Sequence, residues 1–272
     1  VIPSASPLAL PAASGLDTPL DEIPALIAPA LLDTLLMVGI VMTIVVLLGV
    51  PIGVLVHNLA PGGLLENRVA HTALSWVVST GRSLPFLVLM AALVPFTRFV
   101  TGTNIGIRAA VVPMVLAGTA FFSRIVENSL RSVPPNLVTV AQASGASPLQ
   151  VITSVQLSEA APSIVGGLTI NTIAMIEYSA IAGTIGAGGI GYVAVTYGYQ
   201  RFDHAVMIAT IVVLVALVAT VQLVGDAVAR AADPRTRRRS RRRRATARTS
   251  TPATTPATTP ATTPATEETL VH

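Results

Sequence analysis

The run from Thr34 to Val56 contains no charged residue. As a helix rising 1.5 Å per residue, such a run crosses the ~30 Å hydrocarbon core of a bilayer. Inside that core each backbone N–H and C=O must be satisfied within its own segment, so a lone apolar run has to be helical. Further apolar segments lie at roughly 71–97, 106–127, 161–184 and 205–225. The expected fold is therefore all-α: a polytopic membrane protein with five transmembrane helices. Composition agrees, since the 272 residues are 52% hydrophobic and 11% charged, whereas soluble domains carry about 25% charge.

Charge placement sets the expected topology. All 17 basic residues are arginine, and about 10 of them fall between Arg230 and Arg248, directly after the last span. Residues 1–30 hold Asp17, Asp21 and Glu22 but no basic residue, so they lack the n-region of a secretory signal and read as a loose extracytoplasmic extension that can end in a short amphipathic helix leading into the membrane. The positive-inside rule places the N-terminus outside and the C-terminus in the cytoplasm, although Arg98, Arg108 and Arg201 then fall on the outer side. The arginine run can bind nucleic acid or anionic lipid. With no aromatic residue interleaved and a span just before it, a lipid anchor is the expectation. Residues 250–266 repeat Thr-Thr-Pro-Ala, which neither helix nor sheet accommodates, and 233–272 is expected to be a disordered cytoplasmic tail.

Several activities are excluded. Cysteine is absent, removing disulfides and thiol chemistry. Lysine is absent too, and no P-loop occurs, so any ATP hydrolysis belongs to a partner. Residues 186–191, GAGGIG, match the dinucleotide fingerprint, but a span precedes them where a strand is needed. Glycines here instead allow a tight re-entry or close helix approach near the outer surface. Arg82 and Glu177 are the ionisable residues expected within the membrane profile. Such charges face a cavity or a partner, or snorkel to the interface. Asn171, Tyr178 and Ser179 share a span with Glu177 and join it and Arg82 as candidate pathway or dimer-facing residues.

The segment 137–162, LVTVAQASGASPLQVITSVQLSEAAP, is moderately polar and lies between apolar runs. It reads as two short helices broken at Gly145–Pro148. Gly145 supplies a left-handed turn, Ser147 caps the second helix and Pro148 occupies its first turn. A helical knob on the cytoplasmic face suits docking to another protein.

Residues 141–162 resemble the coupling signature of ABC-importer permeases, E-A-A-x-x-x-G followed by I-x-L-P. Gly145 matches the glycine and Ala141 the third position, while Thr139, Val140 and Ser158 depart from the pattern. Within residues 68–232, GRSLPFLVLMAALVPFTRFVTGTNIGIRAAVVP, FFSRIVENSL, ASGASPLQVI and IGAGGIGYVAVTYGYQRFD occur in order. They are similar to the permease subunit of methionine ABC importers, whose usual glycine is replaced here by Glu177.

The resemblance implies a permease domain over 31–232, with coupling helices at about 137–157. Two copies of the chain would form the pathway, with two copies of an ATP-binding subunit beneath and an extracytoplasmic methionine-binding lipoprotein delivering substrate. ATP and Mg would sit on the partner, no cofactor on this chain, and the location would be the inner membrane, with lipid but not nucleic acid as a further contact. The coupling residues would be Ala141, Ala143, Gly145, Ala146, Pro148, Leu149, Leu157 and Glu159. Gly145 would make the turn, the alanines would allow close approach, and the leucines would hold the helices to the bundle or the partner. Three other readings stay open: a permease for another small amino acid or osmolyte, a scaffold with a lipid-binding arginine tail, and a self-sufficient secondary transporter.

Overall fold

The structure, a computed structural model, describes residues 18–232. The arginine run and the Thr-Pro-Ala repeat lie outside the described residues, as do residues 1–17. The described residues form helices α1 (Ile23–Leu59), α2 (Arg68–Ser83), α3 (Phe86–Ala92), α4 (Val94–Thr101), α5 (Ile107–Arg131), α6 (Pro135–Ala143), α7 (Pro148–Gln150), α8 (Leu157–Ala182), α9 (Gly189–Val193) and α10 (His204–Ala232). Wide π-helical turns at Val151–Gln156, Gly183–Ala187 and Ala194–Tyr199 join several of them. No strand occurs among the described residues.

Four helical stretches are long and apolar enough to cross a membrane, and the bent pair α2 and α3 supplies a fifth. Counting that bent pair as one span, the number equals the expected five, with two corrections to their shape. The second span is not one helix from 71 to 97, because α2 and α3 meet at 106°. Pro85 has no N–H to donate and forces Leu84 out of the helical region, to φ −90° and ψ 132°. Helix α1 begins at Ile23, well before the expected start of the first span near residue 34, so the helix anticipated at the end of the N-terminal extension is continuous with the span. Ile23, Ile27 and Ala30 are buried in a small core with Ile190, Val193 and Val206. At about 1.5 Å per residue, the 37 residues of α1 outrun a bilayer's hydrocarbon core, so one end projects beyond it.

The main core lies where α5 packs against α1 and α8. Met37, Val41 and Val45 of α1 meet Met114, Phe122 and Val126 of α5, with Met175 of α8 beside them. Lipid is as apolar as these side chains, so close packing holds the bundle rather than exclusion of water. Gly53 shows this: a Cβ there would lie 2.5 Å from the Ser123 carbonyl oxygen. By the same logic α10 leaves Ile208, Ile211, Val212 and Val215 exposed, as a lipid-facing helix does.

The glycine-rich stretch forms the expected re-entry. Gly186, Gly188 and Gly189 take positive φ, and Gly191 lies against Ala180, whose carbonyl oxygen would be 2.3 Å from an added Cβ. The chain reverses from α8 into α9 at the end of the bundle where Gly106 donates its N–H to the Gly186 carbonyl at 3.1 Å.

Candidate coupling site and membrane-level charges

The knob at 135–156 is built by local rules. Pro135 starts α6, where its missing N–H costs no intrahelical bond. Gly145 has φ +82°, its N–H donates to the Gln142 carbonyl (2.9 Å), and the Ala146 N–H donates to the Ala141 carbonyl (3.1 Å). Those two bonds form a Schellman cap. Ser147 and Gln150 then form a capping box. The Gln150 N–H donates to Ser147 Oγ at 3.4 Å and the Ser147 N–H donates to Gln150 Oε1 at 2.9 Å. The second short helix does not end before the membrane. It runs through the wide turn Val151–Gln156 into α8, so the knob is the projecting end of a spanning helix.

The anticipated coupling residues divide into two sets. Ala143, Gly145, Pro148 and Leu149 are exposed, and Leu149 at 69% and Val140 at 64% form an apolar tip. Ala141, Ala146 and Glu159 are half-buried, whereas Leu157 packs against the main core. Leu149 thus faces outward and Leu157 holds the lever to the bundle.

Polar contacts not anticipated from the sequence brace this end. Asn58 and Gln156, both buried, exchange two amide hydrogen bonds of 3.0 Å. Ser129 and Ser163 lie 2.9 Å apart between α5 and α8. Glu127 is wholly buried and accepts from Arg124 and Arg131, both at 2.6 Å. Burying that carboxylate is tolerable only because both oxygens are met by guanidinium groups. The signal was present as Arg124-x-x-Glu127-x-x-x-Arg131, the i,i+3 and i,i+4 spacing that brings side chains together on a helix. Beside these residues a cavity of about 650 Å³ separates α6 from the ends of α1 and α5. His57, Asn58, Arg131, Thr139, Gln142 and Gln156 contribute to its lining.

Residues 49–238 match the model of the binding-protein-dependent transport system inner membrane component. The chain belongs to that family. It is a multi-pass inner-membrane permease. It is 45% identical over 210 residues to a probable D-methionine transport system permease protein of Vibrio cholerae, covering 77% of this chain and 93% of that protein. A methionine import system permease protein of Bacillus subtilis is 35% identical over 174 residues, covering 64% and 78%. A crystal structure titled as an inward-facing MetNI methionine ABC transporter superposes with a TM-score of 0.76 at 36% identity, covering 79% of this chain and 99% of that one.

Within the permease, the candidate pathway residues separate by helix face. Asn171 and Ser179 are buried inside the bundle. Both sit on the side of α8 that carries Met175 into the core. Asn171 Nδ2 lies 3.7 Å from Met42 Sδ while its Oδ1 has no partner, and Ser179 donates to the Ile176 carbonyl at 2.7 Å. Tyr178 is half-buried and stacks on Phe86, ring centroids 4.2 Å apart. Arg82 and Glu177 are exposed on this chain, and the Arg82 guanidinium lies 5.9 Å from the Phe121 ring centroid.

At the other end of the bundle, Asp203 caps α10, accepting from the Val206 N–H at 3.0 Å. It also accepts from the Thr18 N–H (2.9 Å) and hydroxyl. Burial pushes the Asp203 carboxyl up, but the Thr18 hydroxyl and the N–H groups of Val206, Thr18 and Ala205 outweigh it and hold the group below its ordinary value.

Proposed function

We propose that this chain is the permease subunit of an ABC importer for methionine, two copies forming the pathway between two ATP-binding subunits and an extracytoplasmic binding lipoprotein. The observation that carries the reading is the knob. Its apolar tip is exposed, its turn is fixed by two caps, and it continues without interruption into a spanning helix. Such a part passes a push from outside the bundle into the spans as a rigid-body displacement. The push has to come from elsewhere, because the chain has neither lysine nor a P-loop. ATP and Mg therefore belong to the partner. Methionine is favoured because the relatives named above carry that substrate in their names.

The N-terminus lies outside and the C-terminus inside. Gly225 of α10 packs on Thr169 of α8, so these antiparallel helices bring Arg230 to the end where α8 leaves the knob. In sequence the arginine run follows Arg230, so by the positive-inside rule the end of the bundle that Arg230 marks is the cytoplasmic one.

The test is uptake of labelled methionine into proteoliposomes holding this chain, its ATPase and its binding protein, with ATP inside. Uptake requiring all three supports the reading. Stable assembly with the ATPase but transport of a different amino acid keeps the importer and removes the substrate. Uptake by this chain alone under an ion gradient favours a secondary transporter, and failure to bind any ATPase favours a scaffold.

A further inference from the structure

Arg82 and Glu177 stand near the middle of the spans, and neither makes an ion pair or a side-chain hydrogen bond among the described residues. Their depth follows from the register of α5 against α8. Ser129 meets Ser163, Gly167 abuts Ile125, and Gly118 abuts Met175. On that antiparallel register Glu177 is level with residues 115–116 of α5. Gly81 abuts Ala120 and Arg82 lies by Phe121, so Arg82 is level with residues 120–121. The two therefore differ in depth by about 8 Å, and both lie within about 6 Å of the midpoint of α5. Long arginine and glutamate side chains span that difference. A lone charge at such depth is costly and is met by a partner or by water.

From Ile170 onward the face of α8 that bears Glu177 is exposed. Ile170, Glu177 and, in the wide turn beyond α8, Thr184 lie at successive intervals of seven residues, while Met175 and Ser179 between them are buried; Ser163, seven residues earlier, is held by Ser129 of α5. A seven-residue stripe is the seam that two helices present to each other when they pack at a shallow angle. About a two-fold axis, a residue i that meets residue j of the other copy is matched by j meeting i, so a cation and an anion on one chain complement themselves twice.

We propose that Arg82 of each protomer pairs with Glu177 of the partner subunit, so that two equivalent ion pairs join the two copies near the centre of the membrane. This rests on the dimeric permease reading above. The stacking of Tyr178 on Phe86 ties α8 to α3, the helix that follows Arg82, and the α2–α3 bend at Leu84 leaves Arg82 at the end of α2.

The test combines charge reversal with cross-linking in the assembled complex. R82E and E177R should each lower uptake about tenfold, and the double variant, with the pair reversed, should recover to within about threefold. Recovery no better than the worse single variant overturns the pairing, and so does full uptake in both single variants. Because the chain has no cysteine, R82C in one tagged protomer and E177C in a differently tagged one give a clean second readout with a short bismaleimide. A product carrying both tags supports the contact. Absence of that product in a complex that light scattering shows to be dimeric overturns it, as does cross-linking of E177C to itself alone. A monomer by light scattering removes the dimeric reading as well, which separates the two failures.

Discussion

Asn58, at the end of α1, and Gln156, in the wide turn below α8, are 98 residues apart and hydrogen-bond to each other twice, out of contact with solvent. The pair ties the root of the coupling lever to the first span. Asn58→Leu would strand the Gln156 amide and cost about 1–3 kcal/mol, the penalty of a buried unsatisfied polar group. The double change to leucine at both positions should recover most of that stability, since no polar group is left unmet. Thermal unfolding in detergent checks this. If the pair also transmits motion, the double variant will melt like the parent yet import less substrate per ATP hydrolysed. A normal ratio would limit the pair to stability.

Glu127 yields an asymmetric prediction. Its carboxylate is wholly buried, whereas Arg124 and Arg131 keep 31% and 54% of their side-chain surface exposed. Removing a cation leaves a buried charge half-paired; removing the carboxylate frees two guanidinium groups that can turn to water. Arg124→Met is therefore expected to cost about 3–5 kcal/mol, and Glu127→Gln clearly less. Adding Glu127→Gln to Arg124→Met should restore melting temperature. A larger loss from Glu127→Gln alone would contradict this account.

The spans were legible because lipid imposes a one-dimensional rule that apolar runs reveal directly. The Gly145 turn was legible because left-handed backbone, a serine cap and a proline at the first helical turn are each written in residue type. Other features depend on direction, which periodicity does not supply. Asn171 and Ser179 share a helix with Glu177, yet they point into the bundle and Glu177 points out. Glu127 was hidden because residues after 127 read as polar linker, whereas α5 continues to Arg131 and its last turns bury a charge. The continuity of the leading helix with the first span was not legible, because Pro24 and Pro29 and the nearby acids suggest a break. In fact Ile23 and Ile27 find a core supplied by residues beyond 189.

Gly145 can be tested without altering what it touches, because no atom lies within 4 Å of a Cβ placed there. Its φ of +82° is the sole constraint. A residue other than glycine pays about 1–2 kcal/mol in this region, and asparagine pays least because its side chain bonds locally. Gly145→Asn should keep most of the uptake. Gly145→Val, β-branched and stiff, should lower uptake several-fold while the ATPase still co-purifies. Equal uptake in both variants would show that turn geometry does not govern coupling.

Asp203 makes the opposite end of the bundle sensitive to acid. Its carboxyl is held below the ordinary value chiefly because the Thr18 hydroxyl and three backbone N–H groups together overcome its burial. A folded value below the unfolded one means that ionised Asp203 favours the folded state. That contribution is complete above the usual carboxylate value of about 3.9 and is lost as pH falls through and below it. As pH falls below the usual carboxylate value of about 3.9 the segment beginning at Thr18 should loosen from the start of α10, which amide exchange of residues 18–27 will report. Asp203→Asn lacks the charge at every pH. It should show raised exchange in that segment already at neutral pH, with little further change on acidification. Unchanged exchange in the variant would mean that the burial of Ile23 and Ile27 alone holds the segment.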